Sequence, residues 1–467
     1  MRTTTTFALF FACTAVGTGC SENGGGAATK TPDSFPYTPA GCSYSVAAPE
    51  GTESLTMSRS ALGALPSPKH IHVSWSGAPE STFAVSWATD LETLATQVVY
   101  GTDKAAVEAA DGPGAGVARQ LGHTMQLGSA LFANQKMRTH EAHVCGLSAN
   151  TTYYYKVGGP GAWSAVYDVA TAPAPGSAEK FKFALVGDSR SGADIFAQIQ
   201  EKLSGEGVDF EVFSGDFVDN PQNQTHWEAL FDGKSGSFTT QQMLASRPLM
   251  PVNGNHDNLT AYYVGQFALP QEQSTGELAQ GEEWYSFDYG NAHFLMLDSE
   301  ATDLSAQVDF MRADMKKVDR QKTPWVFAVF HTTPYTCGST HKSDSDEPRA
   351  KWQPVFDELE VDMVLTGHVH NYQRTVPIRG FKPGTTDGAP AQATANGVPV
   401  KGSGTLYVVS GGASGDLYGV DPPASCYFSQ VTEKVHHYVV IEIEGKTLRY
   451  KALRLDGTEL DKFEYGK

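Results

Sequence analysis

Five apolar runs in this chain stop on side chains that can bind a cation or carry a proton. FKFALVGD ends on Asp188, VDFEVFSGD on Asp216, PLMPVNGNHD delivers Asn255 and His256, WVFAVFH ends on His331, and VDMVLTGHVH on His368 and His370. Singly these motifs say little, because a Gly-Asp step is usually a turn and a histidine after a strand is usually structural. As an ordered set they are informative. The carboxyl ends of strands in an α/β sheet border the ligand crevice, so residues far apart in sequence can converge there. Glycine precedes Asp188, Asp216 and His368, which lets the chain turn beside a site with no side chain in the way. Across Val369, alternate side chains of extended chain point the same way, so both imidazoles can face one crevice. Carboxylate, amide and imidazole donors without a thiolate suit Zn, Fe or Mn.

The elements that must position this set follow from periodicity. Residues 21–67, rich in Gly, Ser, Thr, Ala and Pro, read as a flexible linker and approach segment. IHVSW (71–75), FAVSWAT (83–89), QVVYG (97–101), THEAHVCGL (139–147) and TTYYYKVGG (151–159) then predict a β-sandwich. GLSANTTYYYKV resembles a fibronectin type III domain, in which leucine and tyrosine at a strand start pack inward. TAPAPGS (171–177) breaks the pattern with two prolines, which places a β domain over 68–175 and a second domain over 176–467. In the second domain, strands at 181–188, 208–216, 248–257, 325–334, 361–368, 405–412, 436–445 and 448–455 are expected. Helices are expected at 193–203, 306–318 and 352–360, with a hairpin over 284–299 turning at Gly290 and Asn291. Apolar strands separated by helices imply an α/β domain with a buried sheet core.

Composition bounds the partners. The formal charge of -18 argues against nucleic acid, whose binders need a basic face. MRTTTTFALFFACTAVGTGC is too short to span a bilayer and reads as a signal peptide over 1–20. Its end resembles a bacterial lipoprotein attachment site, with Gly17 where a larger aliphatic residue is usual. A lipidated Cys20 would tether the chain to an outer membrane or cell surface; simple cleavage would leave it periplasmic or secreted. Either way the mature protein is expected to be extracytoplasmic. Cys42, Cys145, Cys337 and Cys426 then favour two disulfides in an oxidising compartment. Three pairings exist; pairing within domains gives Cys42–Cys145 and Cys337–Cys426.

SGDFVD, GNHD and GHVHNYQR resemble the metallophosphoesterase (calcineurin-like) superfamily, and the fibronectin-like front domain resembles its purple acid phosphatase branch. The resemblance spans about 70–467 and implies a four-layer αββα sandwich with two metal ions between its sheets. It implies Asp216 as a carboxylate shared by both ions, Asn255, His331 and His368 as the other ligands of the second, and Asp188 and His370 as ligands of the first. His256 would face the substrate and assist the leaving group, and His341, ten residues beyond His331, would be another substrate-facing histidine. Two cations roughly 3.5–4 Å apart clamp a phosphate, acidify a water and stabilise the attacking and leaving oxygens. A small-molecule phosphate ester is the implied partner.

Two positions depart from the family. Most superfamily members carry a histidine two residues after the first aspartate, where this chain has Arg190. The purple branch carries a tyrosine three residues after the shared aspartate, where this chain has Asp219. Two readings stay open: Asp219 ligates the first metal while Arg190 binds a phosphate oxygen through its fork, or that metal is weak or absent and Arg190 supplies its positive charge. The expected function is an exported phosphoesterase hydrolysing phosphomonoesters. Phosphodiesters or pyrophosphate-type anhydrides are alternative substrates, and a non-catalytic surface binding protein with a degraded metal site is the alternative class. Asp257 is expected to support a histidine or act as a cap, Arg374 to orient loops, and His436 and His437 to be structural. With no tyrosine at position 219, the iron-loaded protein should lack the intense visible phenolate-to-iron band in its absorption spectrum; a strong band would refute this ligand assignment.

Overall fold

Alternation of apolar residues decides which faces of the sheets meet. Along the strand Trp325–Val329, Trp325, Phe327 and Val329 enter the inner core, while Val326 and Ala328 pack outward. In the strand Ala292–Met296, Phe294 and Met296 face in and Leu295 faces out. Apolar residues on both faces are what a covered, parallel-paired strand requires.

The computed structural model describes residues 35–47, 60–128, 131–132, 134–271, 282–338, 340–380 and 403–467. The expected signal peptide, Cys20 and much of the linker lie outside them. A seven-stranded sheet runs in the order Tyr285–Tyr289, Ala292–Met296, Trp325–Val329, Met363–Thr366, Leu406–Ser410, Tyr372–Thr375, Ser429–Glu433. Leu295, Val326, Ala328 and Val364 on its outer face pack with Met311 of helix Ser305–Met315 and Trp352 of helix Asp346–Leu359. A six-stranded sheet runs in the order Leu249–Pro251, Phe210–Phe213, Phe181–Val186, His437–Glu444, Thr447–Arg454, Glu459–Gly466. The two sheets meet through Phe183, whose ring centroid lies 5.1 Å from those of Phe294 and Phe327. Helix Ala193–Glu206 backs the six-stranded sheet, with Phe196 5.9 Å from Phe213. This is the four-layer αββα arrangement.

In front of it, the strands Lys69–Ser74, Thr82–Thr89, Lys136–Cys145 and His123–Gly128 form one antiparallel sheet. Gln97–Gly101 and Thr152–Gly159 anchor the other, and Phe83 meets Tyr155 across the sandwich at 5.4 Å. The sandwich is fastened to the α/β part: Ile71 N–H donates to Gln241 Oε1 at 3.0 Å, the Tyr155 hydroxyl donates to the Ala245 carbonyl at 2.6 Å, and Trp75 packs on Phe210 at 5.4 Å. Disulfides join Cys42 to Cys145 and Cys337 to Cys426.

The structure corrects several expectations. The helix expected at 352–360 begins at Asp346; Pro348 hid its start, although proline is tolerated in a first turn whose N–H groups have no helical partner. The strand Glu459–Gly466 was missed because it is an edge, alternating exposed Glu and Lys with buried Phe463 and Tyr465. Arg374, expected to orient loops, instead joins the two sheets: its Nη2 donates to Asp461 Oδ1 at 3.0 Å and its guanidinium lies 4.8 Å over Phe463. His437 is structural as expected, buried with Nε2 3.0 Å from Ser410 Oγ.

His293 is buried between two carboxylates, 2.7 Å from Asp288 Oδ1 and 2.9 Å from Asp314 Oδ2. Burial opposes its charge, but the two carboxylates outweigh burial and raise its pKa from 6.5 to about 9. A folded pKa above the unfolded one gives stability that is fully present below pH 6.5 and is lost as pH rises through about 9. The shift corresponds to roughly 3 kcal/mol. His293→Gln should therefore destabilise the protein by about that amount in urea titrations at pH 6, and by much less above the folded pKa. Equal losses at both pH values would contradict the ion pairing.

Candidate metal centre

The strands that precede the candidate residues run parallel within each sheet, so their carboxyl ends lie together. Asp188, Asp216 and His368 all have left-handed backbone, with φ of 60°, 63° and 67°. Such conformations cost non-glycine residues about 1–3 kcal/mol each and cluster at functional sites. Glycine is required around them: a Cβ on Gly254 would collide with the Asp216 carboxylate, and one on Gly367 with that of Asp188. Asp257 caps the turn, accepting N–H groups from Asp216 at 2.8 Å, Phe217 at 3.0 Å and Gly254 at 3.0 Å.

Four atoms converge beside this turn. Asn255 Oδ1 lies 3.0 Å from His331 Nε2 and 2.9 Å from His368 Nδ1, and the two ring nitrogens are 3.2 Å apart. Asp216 Oδ2 is 3.4 Å from His331 Nε2. Both rings are oriented from behind: His331 Nδ1–H donates to the Ser214 carbonyl at 2.7 Å, and His368 Nε2–H donates to Asp344 Oδ2 at 3.1 Å. In neutral rings the two facing nitrogens therefore carry lone pairs, and so do both oxygens. A proton or a cation must sit among them. Burial and the neighbouring His331 hold His368 neutral, with its pKa lowered to about 3. Burial also opposes charge on His331, but Asp216 and Asp188 outweigh it and raise its pKa. The donor set fits a metal ion, which would replace that proton.

A second group adjoins the first. Asp188, Asp216 and His331 offer ligand atoms that all lie within 4.8 Å of one another. His370 Nδ1–H donates to the Asp416 carbonyl at 2.6 Å, which leaves Nε2 buried without a hydrogen-bond partner, 3.6 Å from Asp188 Oδ1. Burial, reinforced by the Arg190 charge, lowers the His370 pKa to about 4. Burial and the Asp216 charge raise Asp188 to about 8, so its ionised form needs a cation nearby. The orphaned imidazole nitrogen and crowded carboxylates fit a second ion, with Asp216 and His331 at the boundary of the two groups.

The rim is polar. Arg190 donates from Nη2 to Asp219 Oδ1 at 3.0 Å and from Nη1 to the Tyr418 hydroxyl at 3.4 Å. Asp219 is the expected ligand that the structure brings to neither group: its exposed carboxylate is taken up by the adjacent guanidinium. His256 donates from Nδ1 to the Asp219 carbonyl at 2.9 Å, so a proton it exchanges with a substrate is carried on Nε2. His341 Nδ1–H donates to Asp344 Oδ2 at 2.9 Å, and its ring lies 4.2 Å from that of His368. Tyr418, which sequence reasoning missed, stacks on His370 at 4.1 Å with 11° between the planes. Its only sequence signal is a position after the glycine-rich GGASG turn. Ser214 and Asp416 act through backbone carbonyls, which no residue type announces.

Residues 68–171 match the family described as "Purple acid Phosphatase, N-terminal domain", and residues 181–372 match "Calcineurin-like phosphoesterase". Purple acid phosphatase 18 of Arabidopsis thaliana is 26% identical over 331 residues, 68% of each chain. The phosphoenolpyruvate phosphatase of Allium cepa is 24% identical over 338 residues, covering 69% of this chain and 66% of that protein. Among solved structures, purple acid phosphatase PPD1 from yellow lupin (Lupinus luteus) seeds superposes with a TM-score of 0.69 at 20% identity, covering 86% of this chain and 74% of that one. Its likeness bears on the fold.

Since only the folded chain assembles these acceptors, metal binding is linked to stability. Free metal at 1,000 times Kd should add about 4 kcal/mol. Chelation should lower the calorimetric melting temperature and added Zn or Mn should restore it; an unchanged midpoint would contradict the assignment.

Proposed function

This chain belongs to the purple acid phosphatase-like metallophosphoesterases, metal-dependent phosphoric ester hydrolases, and from that premise we propose an exported enzyme that hydrolyses phosphomonoesters. The observation that carries the substrate class is the placing of Arg190, His256 and His341 at the rim of the candidate metal groups, because a monoester presents three non-bridging phosphoryl oxygens to such donors where a diester presents two.

In this reading Asp216 is shared, Asn255, His331 and His368 complete one ion's protein ligands, and Asp188 and His370 serve the other. The ions are Zn, Fe or Mn and supply, when bound, an acidified water and neutralisation of phosphoryl charge. Arg190 binds a phosphoryl oxygen through its fork, with Asp219 as its counter-ion and the Tyr418 hydroxyl steadying it. The Arg190–Asp219 pair thus favours the phosphate-binding role for Arg190 without a ligand role for Asp219. As water attacks phosphorus, the ester P–O bond breaks and His256 passes the Nε2 proton to the departing alkoxide, giving alcohol and phosphate. His341 offers a second imidazole from the opposite rim. The front domain over 68–175 and the catalytic domain over 176–467 form the proposed organisation. Export is supported by the two disulfides, and a lipidated Cys20 would add a membrane tether.

The test is hydrolysis of a chromogenic phosphomonoester with Zn, Mn or Fe supplied. Asp216→Asn should lower kcat/KM by about 10²-fold or more, roughly 2.7 kcal/mol of transition-state stabilisation. His256→Ala should cost about 10²–10⁴-fold with an alkyl phosphate and much less with a nitrophenyl ester, whose leaving group needs no proton. A faster diester than monoester would overturn the substrate class. A folded, metal-loaded protein inactive on both would favour the binding-protein alternative.

A further inference from the structure

We propose that Asp344 is a positioning residue whose carboxylate fixes His368 from behind and sets how tightly the ion at His368 is held. The inference rests on the reading that His368 is a metal ligand. It goes beyond the ligand set to the carboxylate behind one of its rings.

The three candidate imidazole ligands are oriented in two different ways. His331 and His370 donate their rear N–H to the backbone carbonyls of Ser214 and Asp416. His368 instead donates Nε2–H to a side chain, Asp344 Oδ2, at 3.1 Å. A carboxylate behind an imidazole selects its tautomer and raises the basicity of the nitrogen facing the metal. Asp344 is well placed to do so, because it is itself held. Its N–H donates to the His341 carbonyl at 3.1 Å, closing a turn just before the helix Asp346–Leu359. Oδ1 accepts from the Ser343 hydroxyl at 3.1 Å, and Oδ2 also accepts from His341 Nδ1 at 2.9 Å. One oxygen thus orients both His368 and the rim histidine. Asp344 is exposed while His368 is buried, so the carboxylate can be altered without opening a cavity beneath the metal group.

The experiment measures Zn²⁺ stoichiometry by elemental analysis and affinity by chelator competition for the wild type, Asp344→Ala, Asp344→Asn and His368→Ala, with circular dichroism to establish folding. The wild type should bind two equivalents and His368→Ala should lose one. Asp344→Ala should retain both but bind one about 10–100-fold more weakly. Asp344→Asn, whose amide oxygen still accepts the Nε2–H, should fall between. Wild-type affinity in both Asp344 variants, with an equivalent lost in His368→Ala, would overturn the positioning role and leave the ligand assignment standing. Wild-type binding by His368→Ala would overturn that assignment and the inference with it. A third equivalent, present in the wild type and lost in Asp344→Ala, would make Asp344 a ligand of a separate ion and overturn its positioning role.

Discussion

Asn255 Oδ1, His331 Nε2, His368 Nδ1 and the Asp216 carboxylate converge with neighbouring atoms 2.9–3.4 Å apart, and with both rings neutral their lone pairs repel. A positive charge among them turns the repulsion into attraction, and the surrounding architecture serves to keep the four atoms in place. Ser214 and Asp344 commit the rear N–H of the two rings, so neither imidazole can relieve the contact by changing tautomer. Asp257 ties the Asp216 turn to the GNHD loop. The left-handed backbone at Asp188, Asp216 and His368 is a local cost that the packed sheets must offset.

Two sheets rather than one make this convergence possible. Asp188, Asp216 and Asn255 leave strands of the six-stranded sheet, while His331 and His368 leave strands of the seven-stranded sheet. The phenylalanine layer between the sheets, Phe183 against Phe294 and Phe327, therefore sets the spacing of the candidate ligand groups.

Much of this was legible because strand ends and ligand types coincide in the string. Apolar runs located the strands, and the residues that stopped them are those the structure brings together as the candidate site. The edge strand Glu459–Gly466 was illegible because solvent-facing charges dilute its apolar alternation. Helix Asp346–Leu359 was shortened in the sequence reading by its prolines. At the site, the hidden parts were those that act through backbone or through long-range stacking: the Ser214 and Asp416 carbonyls and the Tyr418 ring have no spacing relation to the histidines they hold. Asp219 shows the opposite limit. Its place after Asp216 suggested a ligand, but the side chain of Arg190, distant in sequence and adjacent in space, pairs with it.

Anomalous diffraction from crystals of the metal-loaded protein, collected at the edge of the bound metal, would place the ions against these side chains. Two peaks roughly 3.5–4 Å apart are expected. One should lie among Asn255, His331, His368 and Asp216, the other against Asp188, His370 and Asp216. A single peak, or density only on the outer side of His368 beside Asp344 and His341, would contradict this placement.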